Sequence, residues 1–153
     1  MFRKIALIVA ACGTAALIPQ SAAPSELLKG PGVIRITSIQ IGFTRVDVGA
    51  PGVSPGDTEI TRELLYNTRI RNKPIGHSQL VCVYVDRQFR NCNGTYFLPA
   101  GRITVSGAVQ FRSLYGLTVT GGTDFYNNAK GTLTETLLHA SPRSSLLVFR
   151  LVL

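Results

Sequence analysis

Tryptophan is absent from the 153-residue chain, and charged residues make up only 16 % of it. This small charged fraction, beside a hydrophobic share of 45 %, excludes a disordered tail and a coiled coil. A chain of this length is also too short for two ordinary domains. The sequence therefore predicts a single globular domain.

A short apolar segment stands at the start of the chain. Arg3 and Lys4 precede residues 5–18, which are all apolar or small, and Pro19 follows. The run is shorter than the about 20 apolar residues that a transmembrane helix needs. A basic start, a short apolar core and small residues at 21–23 are typical of a secretory signal peptide.

We therefore expect residues 1–23 to be removed and the protein to be secreted, either to the extracellular space or to the periplasm. Residues 24–32 are then a flexible N-terminal segment ahead of the domain at 33–153. Residues 9–12 also resemble a lipoprotein cleavage box, so lipidation of Cys12 is the less favoured alternative. No membrane span is predicted.

Cysteine is scarce, and only Cys82 and Cys92 lie beyond the leader. An even pair in an exported protein favours a disulfide. The two residues lie in apolar, β-branched and aromatic segments joined by a polar link, which predicts a β-hairpin in which Tyr84 is opposite Arg90. Because paired Cys and His spacings are absent, we predict no metal site.

Alternation of apolar and polar residues recurs along the rest of the chain, and no helical period is sustained. In residues 102–111, for example, Ile103, Val105, Val109 and Phe111 share one face. Similar segments span residues 33–43, 115–120, 131–138 and 145–153. Seven or eight short strands at this spacing predict an all-β sandwich or closed barrel.

Two segments of the chain lack a simple alternation of apolar and polar residues. Residues 57–67 are compatible with a short helix or a strand, and we favour the strand. Residues 145–153 are apolar on both faces, so we expect this last strand to be paired on both edges and covered, in a barrel or an oligomer.

The formal net charge is +8, with 16 Lys and Arg against 8 Asp and Glu. The cations are scattered along the sequence rather than grouped as a phosphate-tracking groove requires, so nucleic-acid binding is not expected. Weak attraction to anionic surfaces remains compatible with the charge.

Several short motifs occur in a recognisable order. They are Gly56-Asp57 with Leu65-Tyr66, the Ile75–Gln79 segment, the Gly94–Gly107 hairpin, and Thr120-Gly121-Gly122-Thr123 through Ala129-Lys130-Gly131. In this order and spacing the sequence resembles the allene oxide cyclase and dirigent superfamily. The resemblance implies a calycin-like, eight-stranded antiparallel up-and-down β-barrel, usually a homotrimer, that binds an apolar or aromatic small molecule without a cofactor.

The same resemblance implies an isomerase or intramolecular cyclase, or a dirigent-like guide of radical coupling, and such reactions depend on holding the substrate in one conformer. Gly42 and Thr44 stand where the allene oxide cyclase carries a functional Glu and Asn, so that particular cyclisation is not expected. A non-catalytic carrier of an apolar ligand and a structural barrel filled by its own side chains are the alternatives.

Polar residues of the predicted hairpin are the first candidates for chemistry. Tyr84, Asp86 and Tyr96 share one strand face and could donate a proton or stabilise a cation. Alternatively, the two tyrosines pack across the strands and Asp86 pairs with an arginine at the rim.

Three further candidates follow from the motif matches: Asp57, Tyr66 and Lys130 are expected to contact the ligand. For Asp57 a turn cap is the alternative role. His77 and His139 lie near predicted turns and are expected to face solvent.

Overall fold

The computed structural model describes residues 32–110 and 112–152, so the predicted leader and most of the N-terminal segment lie outside the described residues. The strands are β1 (Val33–Val46), β2 (Thr58–Asn67), β3 (Pro74–Tyr84), β4 (Phe89–Leu98), β5 (Gly101–Gln110), β6 (Leu114–Gly122), β7 (Lys130–Ala140) and β8 (Arg143–Val152). A single 3₁₀ turn, Asp124–Tyr126, lies between β6 and β7. Within these ranges no helix is long and apolar enough to span a bilayer.

The eight strands close into an antiparallel barrel in which each strand pairs with its neighbours in sequence and β8 pairs with β1. This confirms the predicted up-and-down barrel. Residues 58–67 form a strand, as favoured, and the last strand is paired on both edges, with β1 and with β7. Its outer face is less covered than expected, because Val152 is 72 % exposed.

Consecutive strands run in opposite directions, so the barrel has two distinct ends. The end at which β1 begins is filled by apolar side chains, including Ile36, Leu65 and Ile103, and by Tyr126 and Ala129 from the β6–β7 segment. We call it the filled end. The opposite end, reached by the β1–β2, β3–β4, β5–β6 and β7–β8 connections, is the open end.

A glycine allows the last two strands to approach closely at the filled end. Gly131 has a φ of +140°, and a Cβ at this position would lie 1.9 Å from the carbonyl oxygen of Arg150. Only glycine fits both constraints. This is a mechanical role for one of the glycines in the motif at residues 129–131.

The β3–β4 hairpin has the predicted register: Cys82 pairs with Cys92 and Tyr84 with Arg90. Cys82 and Cys92 form a disulfide with an S–S distance of 2.07 Å. The connecting loop begins earlier in the sequence than expected, because β3 ends at Tyr84. Asp86 therefore lies in the loop and does not share the strand face of Tyr84, which corrects the predicted grouping.

Candidate functional site: an acidic cavity at the open end of the barrel

A cavity of about 290 Å³ occupies the barrel interior toward the open end. Its apolar lining comes from Phe43, Leu80 and Cys82. The rest of its lining is polar and is contributed by Gln40, Glu59, Thr61, Glu63, Arg90, Tyr115, Glu135 and Arg143. The cavity thus combines an apolar surface with ionisable groups that point into the barrel.

A β-bulge in β1 shapes the mouth of the cavity. The pairing with β2 shifts between Gln40 and Gly42, leaving Ile41 as the extra residue. Side chains of a regular strand alternate between faces, so an inserted residue changes the phase. Consequently Gln40 and Phe43, three positions apart, both line the cavity.

Glu63 lies at the centre of the polar lining and is almost completely buried. The hydroxyls of Ser78 and Ser38 donate hydrogen bonds to its two carboxylate oxygens, at 2.8 and 3.1 Å. Burial, followed by the nearby charge of Glu135, raises the pKa of Glu63 to about 7. This carboxyl group can therefore both accept and donate a proton near neutral pH.

Glu135 accepts a hydrogen bond from the Tyr115 hydroxyl, and both side chains line the cavity. Burial, together with the charge of Glu135, raises the pKa of Tyr115 far above its ordinary value. The phenol therefore stays protonated and is a permanent hydrogen-bond donor at the cavity wall.

Glu59 lies at the mouth between two arginines and a tyrosine. It forms ion pairs with Arg90 and, at 3.4 Å, with Arg45, and the Tyr84 hydroxyl donates a hydrogen bond to it at 3.0 Å. The guanidinium groups of Arg45 and Arg90 also lie 5.4 and 5.9 Å from the centre of the Tyr84 ring. These contacts with Glu59 and Tyr84 fix the positions of the two guanidinium groups at the cavity entrance.

The structure separates the three residues that were expected to act together. Tyr84 contacts Glu59 at the mouth, whereas Tyr96 is buried deeper and packs edge to face on Phe149, with ring centroids 5.1 Å apart. Their positions on the hairpin are six residues apart in register, roughly 20 Å along the strands. Asp86 is exposed and accepts hydrogen bonds from the backbone N–H groups of Gln88 and Phe89, both at 2.7 Å.

The three residues expected to contact a ligand lie outside the cavity lining. Asp57 is a turn cap: its carboxylate accepts hydrogen bonds from the backbone N–H groups of Val48 and Ser54, which lower its pKa. Tyr66 lies on the outer face of β2, opposite Thr37, and Lys130 is exposed where β7 begins. His77 and His139 are exposed, as predicted.

Sequence reasoning did not single out Glu59, Glu63 or Glu135. The signal was present, because Glu63 is in strand phase with the buried Leu65 and Glu135 with the buried Leu133. A charged residue in phase with core residues must be buried or line a cavity. The pattern in β2 is ambiguous, because Ile60 and Leu64 make its opposite, outer face apolar as well.

No protein-family model matches the chain, and no curated protein matches it. Solved structures do match. A pyocyanin demethylase is similar over 78 % of this chain and 99 % of its own, with 24 % identity and a TM-score of 0.70. The Diels-Alderase AbmU from Streptomyces koyangensis has 14 % identity and a TM-score of 0.64, over 78 % of this chain and 64 % of its own.

The pterocarpan synthase dirigent protein PsPTS1 is also similar, with 11 % identity and a TM-score of 0.61, over 78 % of this chain and 91 % of its own. The predicted resemblance to dirigent-like barrels is therefore confirmed at the level of the fold. Structures of this fold include cyclases, Diels-Alderases and dirigent proteins.

Proposed function

We propose that this protein binds a compact, largely apolar small molecule at the open end of the barrel and promotes its isomerisation or cyclisation without a cofactor. The observation that carries the proposal is the buried carboxyl group of Glu63, which faces a cavity in an otherwise filled barrel and has a pKa of about 7. A barrel that served only as a scaffold would gain nothing from burying such a group, because burial of a carboxylate costs free energy.

The cavity limits the substrate class. Its volume of about 290 Å³ is at the lower end of ligand pockets, which typically enclose about 300 to 1,000 Å³. Phe43, Leu80 and the Cys82 side of the disulfide supply apolar contact for a ring or a folded chain. We therefore expect a compact ring-sized substrate rather than an extended lipid.

The lining also suggests how a reaction proceeds. Confinement holds a flexible substrate in one reactive conformer, which lowers the barrier by removing conformational freedom in advance. Glu63 exchanges a proton with the reacting atoms, and the Tyr115 hydroxyl turns its one hydrogen from Glu135 to a substrate oxygen on which negative charge develops. Arg90 and Arg143 add positive charge at the entrance.

The names of the structurally similar proteins support this class of activity and suggest probe molecules for a binding test. Cyclases, Diels-Alderases and a dirigent protein are similar in fold, and the demethylase is named for pyocyanin. Pyocyanin, a monophenol and a short unsaturated fatty acid therefore form a first panel. We further propose that the protein acts after export, in keeping with the signal-like leader and with the disulfide, and as a homo-oligomer, in keeping with the sequence resemblance to dirigent-like barrels.

The experiment is a binding titration followed by NMR of the backbone amides, with a matched pair of variants. Thr61 lines the cavity, whereas its neighbour Arg62 points to the outer face. We expect Thr61→Trp to fill the cavity and abolish binding, and Arg62→Trp to bind as the unmodified protein does. Where Thr61→Trp does not fold, Thr61→Leu provides the smaller obstruction.

For a probe that binds, product formation distinguishes an enzyme from a carrier. We expect Glu63→Gln to retain binding and to lower the rate of conversion by about 100-fold or more, the usual contribution of a general acid or base. Binding without conversion by the unmodified protein would favour the carrier. Shift changes outside the cavity, or no binding of any probe, would contradict the proposed site.

A further inference from the structure

We propose that the filled end of the barrel is a docking surface for an anionic phospholipid membrane. This inference is independent of the proposed function, because it concerns the end of the barrel opposite the cavity.

Folding gathers cations that are scattered along the sequence. The β2–β3 loop at the filled end carries Arg69, Arg71 and Lys73, all exposed. Four further exposed cations lie on the outer face within a few residues of the strand ends there: Arg35, Arg102, Lys130 and Arg150. In the part of the chain that the structure describes, Asp124 is the one acidic residue at this end. The open end, by contrast, carries the exposed Asp47 and Asp86 and the buried Asp57 and Glu59 beside its arginines.

Apolar side chains are exposed among these cations. Ile70 is at the tip of the same basic loop and is 63 % exposed, and Val152 at the end of β8 is 72 % exposed. Val33 and Phe125 complete the group, at 46 and 38 % exposure. Cations mixed with exposed apolar side chains match the interface of an anionic bilayer, which offers both negative headgroups and an apolar layer beneath them.

The exposed apolar side chains favour a membrane over another polyanion. Nucleic acid would be attracted by the same charge, but it gives the exposed Ile70 and Val152 no apolar partner. The surface therefore fits a lipid headgroup layer best.

The test is co-sedimentation of the exported protein, its N-terminus defined by intact mass, with vesicles of phosphatidylcholine alone or with one third phosphatidylglycerol. We expect binding to the anionic vesicles only, and weaker binding in about 0.5 M salt, where charges are screened within a few ångströms. The triple variant Arg69→Gln/Arg71→Gln/Lys73→Gln should lower the partition coefficient by on the order of 10- to 100-fold.

A matched control removes charge from the other end. Arg87 and Arg112 are exposed in the open-end connections, and Arg87→Gln/Arg112→Gln should leave vesicle binding within about twofold of the unmodified protein. An equal loss per charge removed in both variants would show that net charge alone drives binding and would overturn the proposal. Equal or tighter binding to short duplex DNA, lost in the triple variant, would overturn it in favour of a polyanion site.

Orientation on the membrane can be measured because the chain contains no tryptophan. Ile70→Trp places one fluorophore at the filled end, and Val85→Trp places one in the exposed β3–β4 loop at the open end. We expect a blue shift and quenching by brominated lipid for Ile70→Trp and neither for Val85→Trp. The reverse pattern, or no shift for either variant on vesicles that bind the protein, would contradict docking through this end.

Discussion

Glu63 shows how a single buried carboxyl group links the cavity to the stability of the barrel. Its pKa is raised from 4.5 to about 7 by burial and by the charge of Glu135, while Ser38 and Ser78 hold both of its oxygens. The folded barrel therefore binds a proton more tightly than the unfolded chain does. As the pH rises from about 4.5 to 7 the proton is lost, and the free energy of unfolding falls.

We predict that Glu63→Gln removes this pH dependence. The amide is neutral at every pH, so the variant should match the unmodified protein near pH 5 and be more stable at pH 8 by an amount on the order of 3 kcal/mol. Denaturant unfolding at a series of pH values measures the difference. Asp86→Asn, a change in the exposed loop, should keep the original slope. Parallel curves for Glu63→Gln and the unmodified protein would contradict the raised pKa.

At the scale of the element, the β3–β4 hairpin shows what the sequence predicts well. Two apolar segments around Cys82 and Cys92 predict both the hairpin and its register, and the structure has that register. The disulfide lies on the face of the hairpin that points into the barrel, and Cys82 lines the cavity. The hairpin is therefore covalently cross-linked and also forms part of the proposed binding site.

We predict that the double variant Cys82→Ala/Cys92→Ala lowers the free energy of unfolding by about 3 kcal/mol, the expected gain from closing a loop of this length. Denaturant unfolding under non-reducing conditions measures the loss. The outward pair Val81→Ala/Asn93→Ala, directly cross-strand on the same hairpin, serves as the control and should cost no more than about 1 kcal/mol. Equal losses in the two variants would mean that the strand ladder alone holds the hairpin.

Other elements show why the candidate site could not be predicted equally well. Alternation in β5 correctly places Ile103, Val105 and Val109 in the core. In β2 both faces carry apolar residues, and only the closed barrel decides that Glu63 points inward while Leu64 points outward. The bulge at Ile41 has no sequence signal of its own, yet it brings Phe43 to the cavity mouth.

At the scale of the whole molecule, the two ends of the barrel differ in packing and in charge. Apolar side chains fill one end and carry the stability, whereas the open end leaves room for a ligand among charged groups. The exterior is divided along the same axis, since seven exposed cations and, among the described residues, one acidic residue, Asp124, lie at the filled end. A barrel docked there would keep its open end toward solvent and accessible to small molecules.

This division predicts opposite effects for two phenylalanines. Phe149 is fully buried against Tyr96, so Phe149→Ala should cost about 3 to 5 kcal/mol of stability and leave the affinity for a bound probe unchanged. Phe43 is 51 % exposed at the mouth, so Phe43→Ala should cost less than about 1 kcal/mol but weaken binding. Denaturant unfolding and NMR titration measure the two quantities.

If Phe149→Ala fails to fold, Phe149→Leu keeps most of the core volume and makes the same comparison. A loss of affinity in a folded Phe149 variant as large as that in Phe43→Ala would show that the two ends are coupled. Independent effects would mean that the open end can change its lining, and hence its ligand, while the filled end preserves the barrel. Such independence would explain in physical terms how one barrel fold is shared by proteins named for such different reactions.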